Sequence, residues 1–445
     1  MKKPETAPDW YKKELFDQVM EIRFNEDVES LVNSLNEKYY YWDKIKYYNT
    51  NVVDNVELLW AAVKLSRVVN AKKISFGQYK FNYNLTNSIQ KGLHEFDLHI
   101  GGHLGTKSII PNDDKRKYLV SSIMEEAIAS SQIEGAVTTR KKAKEMLRKN
   151  AKPKTKSEQM IVNNYITINH IVLHQDDLLT TDKLLEVHKL IVNHTMDDIL
   201  DEGRYRDNNE VSVIDAVDGE IVHLPPDFKE VPLLMDELID FFNDKGGDLF
   251  IHPIIKGCII HFMIGYIHPF VDGNGRAARA LFYWYLLKNG YWLTEYLSIS
   301  RLIVKSKNQY AQAFLYTETD SNDLTYFINY NLKTMELAYD SLREYIERKI
   351  SEKKQIVNFQ KIKGVNERQA ILIKWIYEEP DLIFSVKEIE NRLLVSNQTA
   401  RTDLENLVHM GFLQIIDLNK KTKGFYKSDV FDAILAKEMP SNLIN

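Results

Sequence analysis

The chain of 445 residues has one cysteine, Cys258, which excludes a disulfide within it and a thiolate zinc cage and suits a reducing compartment. It has no internal repeat and no low-complexity tract. The opening "MKKPETAPDWYKKEL" lacks the apolar segment of a secretory signal. The most apolar run, "IIKGCIIHFMIGYIHPF" at 254–270, carries Lys256 and His261 and is shorter than a membrane span. A cytoplasmic protein without a membrane partner is expected. No sign of charge dominates: 58 Lys and Arg stand against 63 Asp and Glu, a net −5, so the molecule as a whole does not attract nucleic acid. A local basic patch is still compatible with that balance. A hydrophobic fraction of 44% and a charged fraction of 27% are those of a globular protein, and the length implies two or three domains.

What is present reads mostly with helical period. "TTDKLLEVHKLIVNH" puts Leu184, Leu185, His188, Ile191 and Val192 on one face, with Thr180 or Thr181 as N-cap. The exception is 209–224, "NEVSVIDAVDGEIVHL", where two β-branched runs flank the turn pair Asp218-Gly219. Aromatic clusters near the start, "KYYYWDKIKYY" and "YKFNYNL", read as core-facing stripes of helices. The basic run "RKKAKEMLRKNAKPKTKSEQ" at 140–159 reads as a solvated helix and loop. A second junction falls in "ERKISEKKQIVNFQKIKG"; beyond it come three helices and a short β-like pair.

The densest chemistry is in "HPFVDGNGRAAR", residues 268–279. Pro269 ends an apolar helix at His268, and a second helix is expected from near Arg276 to Gly290. The loop between them lies at a helix N-terminus, where free backbone N–H groups and the dipole favour an anion. Gly273 and Gly275 let phosphate come close to the backbone. Arg276 and Arg279 are three apart, on one side of the first turn. Asp272 offers a hard oxygen for Mg²⁺ held against phosphates, and His268 suits a general base.

This run resembles the signature of Fic proteins, with every specified position filled, and the likeness extends over a helical core of roughly 120–340. The resemblance implies transfer of AMP from ATP to a Ser, Thr or Tyr hydroxyl of a target protein. It gives His268 the role of base, Phe270 that of loop anchor and Asp272 that of Mg²⁺ ligand. Gly273, Asn274 and Gly275 would cradle the α- and β-phosphates, with Arg276 and Arg279 on the β- and γ-phosphates. Tyr310 falls where the family places a tyrosine beside the nucleotide; a core tyrosine is the plain alternative.

Two further stretches gain meaning from the same likeness. "SSQIEG" resembles the family's inhibitory motif, with Ser130, Glu134 and Gly135 in register; Glu134 would pair with Arg279 and block the γ-phosphate site. In some relatives that glutamate serves the reverse reaction, hydrolysis of the AMP–protein bond. The 209–224 hairpin, flanked by "GRYR" (203–206) and "HLPPDF" (223–228), resembles the flap on which a target segment docks as an added strand. A purely solvated Glu134 and a purely structural hairpin are the plain alternatives.

The fold expected is mainly α. A helical extension spans 1–120, a Fic-type core with an inhibitory helix near 121–138 spans 121–345, and a winged helix-turn-helix domain spans 365–430. Residues 385–427 offer a possible DNA surface or, equally, a protein-contact surface. A homodimer is a further possibility implied by the family. The alternatives to AMP transfer are a de-AMPylating hydrolase using Glu134 and a nucleotide-sensing DNA-binding regulator.

Overall fold

The computed structural model describes residues 3–48, 51–53, 55–99, 115–215, 219–245, 250–419 and 422–438. The chain forms two compact units, Met1–Leu342 and Arg343–Asn445.

In the first unit, α1 (Lys13–Ile22), α2 (Glu26–Lys38), α3 (Trp42–Ile45) and α4 (Val56–Asn70) enclose a core around Leu35, Ile45, Leu59, Trp60 and Val63. The aromatic run after α4 departs from the helical expectation. It forms an antiparallel pair, β1 (Lys72–Phe76) and β2 (Tyr79–Tyr83), with Phe76 opposite Tyr79. The reason is visible in burial: Phe81 and Tyr83 point inward while Lys80 and Asn82 point out, a period of two. Phe76 then meets Phe241 and Phe81 meets Phe262, contacts that only the tertiary fold supplies.

Next come α5 (Asn87–His99), α6 (Lys115–Ile133), α7 (Arg140–Arg148), α8 (Lys156–Leu173) and α9 (Thr181–Val192). Thr139, Thr155 and Thr180 each cap the following helix by accepting a backbone N–H through the side chain. The expected hairpin is there as β3 (Val213–Ile214) and β4 (Ile221–His223), antiparallel and very short. Asp218 of its turn lies outside the described residues. α10 (Val231–Phe242) leads to α11 (Pro253–Ile267) and α12 (Asn274–Lys288), both buried almost all round. α13 (Ile299–Lys305), α14 (Lys307–Thr319) and the start of α15 (Thr325–Gln360) complete the unit. Among the described residues no helix is long and apolar enough to cross a membrane.

The second unit contains α16 (Glu367–Glu378), β5 (Ile383–Ser385), α17 (Val386–Leu393), α18 (Asn397–His409), β6 (Leu413–Asn419), β7 (Thr422–Lys427) and α19 (Phe431–Glu438). Its three strands pair antiparallel in the order β5-β7-β6, and its elements run helix–strand–helix–helix–strand–strand. Phe384, Leu404, Leu407, Phe412 and Phe425 fill its core. Strand β5 was not legible in the sequence, because three residues carry no measurable period. The start of α18 leaves Asn397, Gln398 and Arg401 exposed.

Candidate active site

The chemistry-bearing run joins α11 to α12. His268 caps α11 in a left-handed conformation, φ 50°, and Gly273 is the N-cap of α12, which begins at Asn274 and so two residues before the expected Arg276. Because α12 starts earlier, the N–H groups of Asn274, Gly275 and Arg276 all belong to its first turn, where the helix supplies them no acceptor. The site is therefore an anion-accepting helix end with a histidine on its rim.

The loop is held from several directions. Asn274 closes it on itself: its Oδ1 accepts from the Phe270 N–H at 2.9 Å and its Nδ2 donates to the Phe270 carbonyl at 2.8 Å. Phe270 is wholly buried and stacks on the His188 ring, 3.7 Å between centroids. His188 Nδ1 accepts from the Gly203 N–H, so its proton sits on Nε2 and is donated to the Asp272 carbonyl at 2.9 Å. Burial holds His188 down to about 4 and thus neutral. Arg206 adds a third brace: its backbone N–H donates to the Pro269 carbonyl and its Nε to the His268 carbonyl, each at 2.9 Å.

The two arginines of α12 have different partners. Arg276 Nη1 donates to the Ile191 carbonyl at 3.0 Å and Nη2 to Asp272 Oδ2 at 3.3 Å. Arg279 donates from Nε to Ser130 Oγ at 2.8 Å, and from Nη2 to the Ser130 carbonyl and Glu134 Oε1, both at 2.9 Å. Two buried guanidinium nitrogens, Arg276 Nε and Arg279 Nη1, have no hydrogen-bond partner among the described residues. An unsatisfied buried cationic donor is costly, and such donors beside a helix N-terminus suit an anion with several oxygens.

Glu134 occupies that place in the chain as it stands. It follows the last residue of α6, and the helix ends in a Schellman motif: Ala136 N–H to Ser131 carbonyl at 3.0 Å, Gly135 N–H to Gln132 carbonyl at 3.3 Å. Gly135 has φ +89°, which a side chain would resist, and this turn aims Glu134 inward. A Cβ on Gly275 would lie 2.9 Å from Glu134 Cδ and 3.3 Å from Arg279 Nη1. The carboxylate thus sits directly over the first turn of α12.

The tautomer of His268 is fixed by a neighbouring carbonyl. Its Nδ1 faces the Gly265 carbonyl at 3.2 Å, and a carbonyl only accepts, so the hydrogen is on Nδ1 and the lone pair on Nε2. Burial lowers its pKa to about 4, opposed by the Gly265 bond. The ring is neutral at physiological pH and able to take a proton. Tyr310 turns its hydroxyl to His261 Nε2 at 2.8 Å, and burial raises the phenol. His261, lowered to about 3 by burial and by the Arg279 charge, is neutral as well.

Residues 178–286 match the model of the Fic/DOC family. The chain carries a Fic domain. It is 26% identical over 174 residues to a protein adenylyltransferase Fic of Nematostella vectensis, covering 39% of this chain and 36% of that protein. To the protein adenylyltransferase Fic of Aedes aegypti it is 32% identical over 124 residues, 28% of this chain and 23% of the other. The match thus spans about a quarter to a third of these relatives' length. A Fic family protein from Desulfovibrio desulfuricans G20 superposes with a TM-score of 0.52 at 22% identity, covering 79% of this chain and 99% of that one, a likeness of fold.

Against the residues expected of a Fic domain, most positions converge and one, Asn274, changes character. His268, Asp272, Gly273, Gly275, Arg276 and Arg279 lie around one helix end, with Ser130 and Glu134 brought to Arg279 from α6. Phe270 has no surface to offer a nucleotide; it anchors the loop from the core. The Asn274 side chain is spent on Phe270, leaving only its backbone for a phosphate. Asp272 keeps its side chain about half exposed. A single accessible carboxylate fits Mg²⁺ shared with phosphates, although no group of three or more His, Cys, Asp or Glu gathers among the described residues. Sequence reasoning missed His188 and Arg206 as loop braces. The position of Arg206 in "GRYR" was a signal, but its partners are 62 residues away.

Proposed function

We propose that the protein transfers AMP from ATP to a Ser, Thr or Tyr hydroxyl of a target protein, and that Glu134 restrains the reaction. The observation that carries this reading is the helix end of α12, where two buried guanidinium nitrogens lack partners and the Glu134 carboxylate sits over Gly275. A triphosphate would take the place of that carboxylate on Arg279 and the free N–H groups. His268 Nε2 takes the hydroxyl proton, the hydroxyl oxygen bonds to the α-phosphorus, and the bond to the β-phosphate breaks to release pyrophosphate. Arg276, Arg279 and the dipole of α12 stabilise charge gathering on the leaving group. Mg²⁺, held by Asp272 and the phosphates, would add charge neutralisation there. The names of the curated relatives support this chemistry, and a target segment would dock as an added strand on the β3–β4 pair.

A second reading rests on one feature: the Glu134 carboxylate lies over Gly275, in the loop that His268 opens. There Glu134 could instead activate water against an AMP–protein bond. The deciding experiment uses ATP labelled at the α-phosphate with wild type, Glu134→Gly and Glu134→Gly/His268→Ala. Strong labelling of lysate proteins by Glu134→Gly alone, lost with His268, supports restrained transfer. No labelling by any form while nucleotide still binds would overturn it, and loss of label from pre-modified protein by wild type alone would favour hydrolysis.

A further inference from the structure

The carboxylate that covers the site hangs from the last turn of α6, so whatever holds that turn sets how firmly Glu134 covers it. The last carbonyls of a helix have no partner within it and carry partial negative charge. Here one cation reaches them from outside. Lys307, the first residue of α14, donates from Nζ to the Gln132 carbonyl at 2.9 Å and lies 3.4 Å from the Ile133 carbonyl. Those are the two residues immediately before Glu134.

The same neighbours are tied to α6 in the opposite sense nearer its middle. Glu126, buried and two turns before Glu134, accepts the Ser300 N–H at 3.0 Å through Oε2 and the Ser300 hydroxyl through Oε1, at the start of α13. So α6 lends a carboxylate to the N-terminus of α13, and α14 lends an ammonium to the C-terminus of α6. Each charge meets the helix end of opposite sign. One turn after Lys307, Tyr310 lies against His261 and is electrostatically coupled to Arg279, the partner of Glu134. The first turn of α14 thus holds the last turn of α6 through Lys307 and acts electrostatically on Arg279 through Tyr310.

We infer that Lys307 is a positioning residue for the restraint: it fixes the last turn of α6 so that Glu134 stays over Gly275, and removing its charge frees the site without touching Glu134. The inference rests on the restrained-transfer reading given above. Because Lys307 is exposed, its ammonium is open to neutralisation by a partner's carboxylate or by acylation, either of which would act as the substitution does.

The test measures labelling from α-labelled ATP by full-length wild type, Lys307→Met, Lys307→Arg, Glu134→Gly and the double variant Lys307→Met/Glu134→Gly, with a thermal melt of each. Lys307→Met is expected to raise labelling roughly two- to fivefold over wild type, the scale of one exposed helix-end contact, while Lys307→Arg stays near wild type. The double variant should label no faster than Glu134→Gly alone. An unchanged melting temperature for Lys307→Met excludes general loosening as the source of a rise, and a rise accompanied by a lowered melting temperature would overturn the inference. If Glu134→Gly labels strongly and Lys307→Met stays at the wild-type rate, the inference is overturned while the function stands. An equal rise when Lys307→Met is added to Glu134→Gly would also overturn it, because the effect would then bypass Glu134. If Glu134→Gly itself gives no increase, the restrained-transfer reading fails first.

Discussion

The 268–279 loop and the β3–β4 pair serve one proposed reaction and are built in opposite ways. In the loop, the backbone of Phe270 is clipped by Asn274, the carbonyls of His268 and Pro269 are taken by Arg206, and the Asp272 carbonyl by His188. The strand pair has two residues in one strand and three in the other, with a register irregularity between Val213 and Ile214. Ile214 is 59% exposed, Ile221 52% and Leu224 72%. Its firm attachment is His223, which bridges the Glu318 carboxylate and the Tyr266 carbonyl, both at 2.7 Å. Proton transfer and charge neutralisation demand fixed geometry, so the loop is over-determined. Main-chain pairing with a varied segment demands an open edge and some give, which the strand pair keeps.

The comparison breaks most visibly at Phe270. Phe270→Ala removes a buried ring stacked on His188 and should cost about 3–5 kcal/mol of stability, read as a lowered urea midpoint with unchanged slope. A loss below about 1 kcal/mol would mean the loop is not held by its core anchor. Acid should expose the next difference. His188 and His268 are held near 4 in the folded chain, against about 6.5 unfolded, so between those values the unfolded chain binds more protons. Their contribution is therefore complete above about pH 6.5 and lost as pH falls toward 4, at up to ~1.4 kcal/mol per pH unit per histidine. Urea midpoints at pH 7.5, 6.0 and 5.0 check this; a constant midpoint would show that the rings are not buried neutral. The smallest stability effect belongs to the strands. Ile221→Ser with Leu224→Ser should change stability by no more than about 0.5 kcal/mol, since both side chains are exposed. On the Glu134→Gly background it should lower labelling of lysate proteins while leaving ATP binding unchanged, and an equal loss of both would remove the strand pair as a docking edge.

How much of this was legible follows from distance along the chain. Pro269, the Gly-Asn-Gly turn and the two arginines lie within twelve residues, and a helix N-terminus is a local object, so its anion-accepting character could be read directly. Gly135 after Glu134 was likewise a local helix stop. The β1–β2 pair was not legible, because aromatic residues at a short, period-two spacing look like a helical stripe until Phe241 and Phe262 cover them.

By itself, then, the sequence determined the helix end with its free N–H groups, the histidine beside it and the glutamate that follows α6. Those properties come from bond rotations and dipoles within a few residues. Only the tertiary structure decided that Glu134 lies over Gly275, that the Asn274 side chain serves the loop and not a ligand, and that Arg206, His188 and Lys307 take part at all. Each of those depends on a pairing between segments tens of residues or more apart, fixed by how the buried helices pack and not by any pattern along the chain.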